Sequence, residues 1–200
     1  LDHEVLAFIM IPANHHGPRK DVFKNLQEKS NENILILSDT HLTHYLIDPE
    51  YDPILNRIKS AGLLNASTDK VKIFFVPCYL NGTDGIFNLH YYDLLIGMDL
   101  SIFPSYYEPW GYTPLESLAF HVPTITTTLA GFGLWVNTHM KENHPGSIVI
   151  NRTDSNDTEV VQGIVKAIKS MDALERENRE FIRDDAYKAS KIALWENLIQ

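Results

Sequence analysis

Apolar residues in this chain come in short uninterrupted runs, most of them closed by a proline or a polar turn. Leu6–Ile11 ends at Pro12, Val71–Val76 at Pro77 and Leu100–Phe103 at Pro104, with further runs at Ile34–Leu37, Val122–Thr126 and Ser147–Ile150. Runs of this kind are expected of strands buried on both faces of a parallel sheet, where alternation is lost. Between them, helices are predicted over Arg19–Lys29, Pro53–Ala61, Tyr92–Gly97, Pro114–Phe120 and Glu159–Met171. Strands alternating with helices imply β-α-β units with right-handed crossovers, hence an α/β fold with a doubly wound, open parallel sheet of Rossmann-like type. Residues 1–200 are read as one domain, with 171–200 as charged helices closing it. Ligands bind such sheets beyond the carboxyl ends of the strands. The segments after Val76, Phe103 and Thr126 are therefore where chemistry is expected, and all three are rich in Gly, Pro, Tyr or hydroxyl residues.

Composition narrows the function. Seventeen Lys and Arg against 26 Asp and Glu give a formal charge of −9, which argues against a nucleic-acid partner. The longest near-apolar run, Val5–Pro12, is far short of the roughly 20 residues of a membrane helix, so no membrane partner is expected. Cys78 is the only cysteine; an intrachain disulfide is impossible, and a reducing, cytoplasmic setting is expected. The Asn-x-Ser/Thr sequons at Asn65, Asn81, Asn151 and Asn156 are read as chance products of Asn-rich loops. His15-His16 has no carboxylate or cysteine at ligand spacing, so no metal is expected, and neither Ser105 nor Cys78 has a recognisable base beside it. The chain starts at Leu1 without a signal-peptide pattern and reads as a piece of something longer.

The chemistry-bearing stretch is Ser105-Tyr106-Tyr107-Glu108-Pro109-Trp110-Gly111-Tyr112-Thr113-Pro114-Leu115-Glu116-Ser117. Its second half predicts a helix start, with Thr113 as N-cap, Pro114 at the first helical position and Glu116 closing a capping box. Such a terminus, preceded by glycine, suits a phosphate. Glu116 is thus either a capping carboxylate or an acceptor for ribose hydroxyls. Glu108 lies in a loop among aromatics, where neither cap nor helix pairing calls for a charge; it is either a surface ion-pair partner or a sugar-recognising carboxylate.

Phe103–Pro114 closely resembles the signature of the glycogen synthases of animals and fungi, retaining glycosyltransferases of two-domain GT-B architecture. Glu108 and Glu116 stand eight positions apart, as in the family's Glu-x7-Glu element, and similarity extends over roughly residues 5 to 135. The resemblance implies the C-terminal, donor-binding domain of an enzyme that transfers glucose from UDP-glucose to the non-reducing end of an α-1,4-glucan with retention. It implies that Glu108 lies against the donor glucosyl unit, that Glu116 binds the ribose and that Tyr79 and Tyr91 sandwich the uracil. The amides of Gly111 to Thr113 would hold the diphosphate, with Trp110 and Tyr112 shaping the pocket. No cofactor or metal is implied; the partners that the resemblance implies are UDP-glucose, glycogen and the enzyme's own N-terminal domain, with room in the whole protein for further copies of itself.

The departures matter equally. The family's basic pair for the diphosphate and its acceptor domain belong upstream of Leu1, and no Arg or Lys adjoins the signature in sequence. The chain alone is therefore expected to be inactive. The arginine-rich helix that binds glucose 6-phosphate in the family is represented only by Arg176, Arg179 and Arg183 among many acids, so that activation is not expected. Two other functions stay open on the sequence: a noncatalytic nucleotide-sugar or glucan-binding module, and a related retaining transferase using ADP-glucose.

Overall fold

Apart from Lys72, β-branched and aromatic side chains fill Val71–Val76, and the stretch pairs as a strand along its whole length. In the computed structural model, which describes residues 1, 3–21, 41–140 and 144–198, strand β1 (Val5–Met10) runs parallel to it, Val5 opposite Val71 through Met10 opposite Val76. The chain divides into two compact units, Leu1–Tyr91 and Tyr92–Gln200.

In the first unit a short antiparallel pair, β2 (His15–Pro18) and β3 (His44–Leu46), follows β1. Helix α1 (Pro53–Ser60) comes next, then β4 (Val71–Val76). Helix α1 begins where the sequence places it: Pro53 occupies the first turn and the Asp52 carboxylate accepts the Leu55 amide at 2.8 Å. Its buried face, Leu55 and Ile58, joins Leu42, Leu46 and Phe75 in the core. Leu42 bridges Phe75 on the side of β4 away from β1, so β4 is the interior strand here. β1 is only half-buried and Leu6 is 60 % exposed, because β1 hydrogen-bonds to one neighbouring strand among the described residues. The predicted strand Ile34–Leu37 and nearly all of the predicted helix Arg19–Lys29 lie outside the described residues.

The second unit contains a parallel sheet in the order β5 (Ser101–Ile102), β6 (Thr124–Thr127), β7 (Ser147–Ile150). Helices α2 (Tyr91–Leu95) and α3 (Tyr112–Ala119) precede and follow β5, and α4 (Gly131–His139) follows β6. α5 (Asp157–Asp172), α6 (Arg176–Ile192) and α7 (Trp195–Leu198) complete the chain. β6 is buried along its whole length between its two neighbours. The core gathers Leu118, Phe132, Val136, Ala186 and Ala193, with Trp110, Trp135 and Val149 packed on it. α6 turns its small residues, Ala186, Ala189 and Ser190, inward. Gly146 is seated so closely on Ala186 that a Cβ would lie 2.6 Å from that residue's backbone nitrogen. Asp185 fixes the contact, accepting from the Gly146 amide and bonding the His144 ring, both at 2.9 Å. Parallel strands with intervening helices are thus borne out. The antiparallel β2–β3 pair and helix α4 were not foreseen: the first is too short and His-rich to show a period, and the second opens on Gly131-Phe132-Gly133, which reads as loop.

Asp52→Ala removes the α1 cap and is expected to lower stability by about 1 kcal/mol, measured by urea unfolding against the parent.

Candidate functional site

Because β5, β6 and β7 are parallel, their carboxyl ends lie along one edge of the sheet, and the segments leaving them meet there. The signature segment, 103–111, leaves β5. Its backbone is laced to the segment leaving β6. The Phe103 amide donates to Ile125 O at 2.8 Å, Glu108 N to Leu129 O at 3.2 Å, Gly131 N to Glu108 O at 2.9 Å and Phe132 N to Trp110 O at 2.6 Å. The Thr127 hydroxyl adds a bond to Ser105 O at 2.8 Å. Glu108 and Ala130 consequently form an isolated parallel bridge.

This approach needs glycine on one side. A Cβ on Gly131 would collide with the Pro109 carbonyl oxygen, and one on Gly133 with the Thr127 carbonyl oxygen. The pair of glycines therefore serves close backbone contact rather than a dinucleotide fingerprint. It also means that the first amides of α4 are spent on Glu108 and Trp110. Trp110 is half-buried, edge-on to Phe132 at 5.8 Å and to Trp135 at 6.1 Å, which ties the segment to the core. The Glu108 side chain, in contrast, is exposed. A fixed backbone carrying an open carboxylate can meet a ligand without prior reordering.

Helix α3 begins differently from the sequence expectation. Gly111, not Thr113, is the N-cap, with φ 103° and ψ 74°, and no side chain caps the helix. That left-handed conformation, open to glycine without strain, turns the chain into the helix before Thr113 is reached. Tyr112 and Thr113 are then exposed first-turn residues, and Glu116 falls in the second turn, out of the capping-box position. The half-buried Glu116 carboxylate instead accepts the Tyr92 hydroxyl. The Tyr92 phenol is raised above its ordinary value, first by burial and then by the Glu116 charge and hydrogen bond. Its ring stacks on Phe120 at 4.8 Å.

Tyr79 and Tyr91 belong to the first unit. Asn81 bridges His90 and the Tyr91 amide donates to Leu80 O at 3.0 Å, so the segments carrying the two tyrosines run side by side. Tyr79 is 79 % exposed and Tyr91 half-buried.

No Arg or Lys adjoins the signature in sequence, yet the fold brings a basic side chain to it. Arg152, on the segment leaving β7, places its guanidinium 3.4 Å over the Tyr106 ring and donates to Pro104 O at 2.6 Å. It lies 48 residues from Pro104 in sequence, and only the parallel pairing of β5–β6–β7 brings it there. Arg176 pairs with Glu180, while Arg179 donates to Leu174 O and Asp172 O and Arg183 to Met98 O and Ile96 O.

One buried cluster in the first unit has the composition of a metal site: His44, Cys78 and Asp84 offer ligand atoms within 4.8 Å of one another. The His44 and Asp84 atoms already have protein partners. The Asp84 carboxylate accepts from the amides of Ile86, Phe87 and Asn88, and the His44 ring bonds Asp84 O and the Thr43 hydroxyl. Burial, with the Asp84 charge in support, pushes the Cys78 thiol up to about 11. The cluster holds the 84–88 turn against β3.

Residues 35–200 match the family model for glycogen synthase. The chain is 37 % identical over 166 residues to glycogen [starch] synthase isoform 1 of Saccharomyces cerevisiae, covering 74 % of this chain and 23 % of that protein. It is 34 % identical over 157 residues to the Caenorhabditis elegans glycogen [starch] synthase, covering 78 % and 23 %. The human liver glycogen [starch] synthase is 33 % identical over 157 residues, covering 78 % and 22 %. The chain thus spans less than a quarter of the length of these relatives. It belongs to the glycogen synthase family. Among the described residues no helix is long and apolar enough to cross a membrane.

Two outcomes follow from the geometry. Gly131→Ala should cost about 1–3 kcal/mol of stability through overpacking against Pro109, read by thermal unfolding. Cys78, in the folded chain at pH 8, should react with iodoacetamide about 100-fold or more slowly than an ordinary cysteine, since two units of raised pKa remove that share of thiolate.

Proposed function

We propose that this chain is the donor-binding part of an enzyme of glycogen synthesis that transfers glucose from UDP-glucose to the non-reducing end of an α-1,4-glucan with retention. The observation that carries this reading is the placement of the Glu-x7-Glu pair: Glu108 open on a backbone-locked segment and Glu116 on the helix that follows, both beyond the carboxyl end of β5. In this reading Glu108 stabilises the charge that develops on the glucosyl unit, and Glu116 accepts the ribose hydroxyls. Tyr79 and Tyr91 take the uracil, whose flat faces gain contact with aromatic rings. The turn at Gly111, Tyr112 and Thr113, whose last two residues are exposed, offers backbone amides to the diphosphate, and Trp110 fixes the wall behind it.

The bond from the glucosyl anomeric carbon to phosphate breaks with its electron pair leaving on UDP, and a bond to the glucan hydroxyl forms on the same face. The acceptor's proton passes to the departing phosphate oxygen. Catalytic power would come from positioning and charge stabilisation rather than from a protein nucleophile. No metal or cofactor is assigned. The rest of the enzyme, including the acceptor-binding part and a counter-charge for the diphosphate, is assigned to sequence outside these 200 residues, so this chain alone is expected to bind donor without turning it over. The single cysteine fits a cytoplasmic setting.

Calorimetric titration of the chain with UDP, UDP-glucose and ADP tests the reading. UDP should bind at least tenfold tighter than ADP, and Tyr79→Ala and Glu116→Ala should each weaken UDP by about tenfold, the scale of one lost stacking or charge-assisted contact. Equal or better binding of ADP would overturn the donor assignment. Glucosyl transfer to glycogen above background by the isolated chain would overturn its restriction to the donor side.

A further inference from the structure

Arg152 is 7 % exposed, a buried cation in a unit whose other described Lys and Arg residues are exposed or half-buried. Four sets of contacts account for it. One guanidinium nitrogen donates to Pro104 O at 2.6 Å and another to Asp157 Oδ1 at 2.9 Å. The guanidinium plane lies over the Tyr106 ring, and the Tyr106 hydroxyl donates to the same Asp157 oxygen at 2.6 Å. At the backbone, the Arg152 amide donates to the Thr128 hydroxyl at 2.9 Å and its carbonyl accepts from that hydroxyl at 3.2 Å. Arg152 therefore touches the segments leaving β5 and β6 while standing on the one leaving β7.

A local role, as an anchor for the start of α5, would need only the Asp157 bond. It would not require a carbonyl and a ring from residues 104 and 106. The orientation of the guanidinium also favours the distant contacts, because the buried Nε has no hydrogen-bond partner. Leaving a buried donor unpaired costs stability, and the fork is turned toward Pro104 and Tyr106 all the same. The donor set further requires arginine. A lysine ammonium could neutralise Asp157 but could not present a flat face to Tyr106 while donating to two acceptors in its plane.

Tyr106 is two residues from Glu108. The Glu108 backbone is gripped from the β6 side by Leu129 and Gly131; on its N-terminal side the segment is held by the Phe103–Ile125 and Ser105–Thr127 bonds and, from the β7 side, by the clamp at Pro104 and Tyr106. We propose that Arg152, with Asp157 and Tyr106, is a positioning residue for Glu108: it locks the segment leaving β5 in the arrangement that sets the carboxylate against the glucosyl unit of the donor. This rests on the donor-binding reading above and adds to it a residue that acts through the signature segment without touching the ligand.

The test uses the whole chain with Arg152→Lys and Tyr106→Phe, the second removing only the hydroxyl link to Asp157. Two quantities are read: binding of UDP and of UDP-glucose by calorimetry, and amide hydrogen exchange at Glu108 by NMR. Arg152→Lys should weaken UDP-glucose by about tenfold while UDP stays within about twofold, because the misplaced group meets the sugar and not the nucleotide. Tyr106→Phe should act in the same direction by about two- to threefold. Glu108 exchange should quicken in both, with Val76 in the other unit unchanged. Equal weakening of UDP and UDP-glucose, or unchanged Glu108 exchange, overturns the proposal. If Arg152→Lys does not fold, Tyr106→Phe decides by the same two readouts. If the parent chain binds neither ligand, the donor reading fails on its own, and an unchanged Glu108 exchange rate would still sink the clamp.

Discussion

The site depends on backbone groups at the carboxyl edge of the β5–β6–β7 sheet pairing with one another. Loops leaving a sheet carry amides and carbonyls that have lost their ladder partners, and near a core each must find a replacement. Here the replacements are mutual: the segment after β5 bonds the segment after β6, and Arg152 closes the third side. Gly131 makes this possible, since a single methyl group would push Pro109 and everything after it away. The result is a loop as constrained as a strand, on which one carboxylate stands open.

This division between a fixed backbone and an open side chain has a direct chemical use. A carboxylate that must stabilise developing positive charge is most effective when it needs no reorganisation as that charge appears. Glu108 is placed in that way by its neighbours' backbone atoms. Glu116 is held differently, through the Tyr92 hydroxyl, on a helix whose start is determined by the left-handed Gly111. The cation of Arg152 is engaged with Asp157 and Tyr106, and serves the loop's geometry. In the proposed reaction the charge of the diphosphate is therefore answered by groups other than Arg152.

Much of the fold could be read from the chain. Val71–Val76 and Ser147–Ile150 pair over the predicted lengths because β-branched runs stopped by proline or turn residues leave little choice of boundary. Helix α1 starts at Pro53 as predicted, while its Asp52 cap is a finding of the structure. The start of α3 was misread because Thr113-Pro114-Leu115-Glu116 satisfies the capping-box pattern, while the left-handed turn at Gly111 is determined by neighbours and not by the pattern. Helix α4 was missed because its first residues are glycines, which local propensity assigns to a loop; close packing against Pro109 and Thr127 demands them there.

By itself the sequence determined the alternation of strands and helices, the position of the signature beyond a strand end, and the pair of carboxylates eight residues apart, because periodicity and turn chemistry are local properties. The family resemblance rests on the same local order of residues. Only the tertiary structure decided which backbone atoms grip Glu108, that Tyr92 is the partner of Glu116, and that an arginine 48 residues away lies under the signature. The Tyr92–Glu116 contact joins helices α2 and α3; the others are contacts between strand-end segments far apart in the chain. They exist because parallel pairing sends all three strand ends to one edge, and no spacing rule along a single segment encodes that.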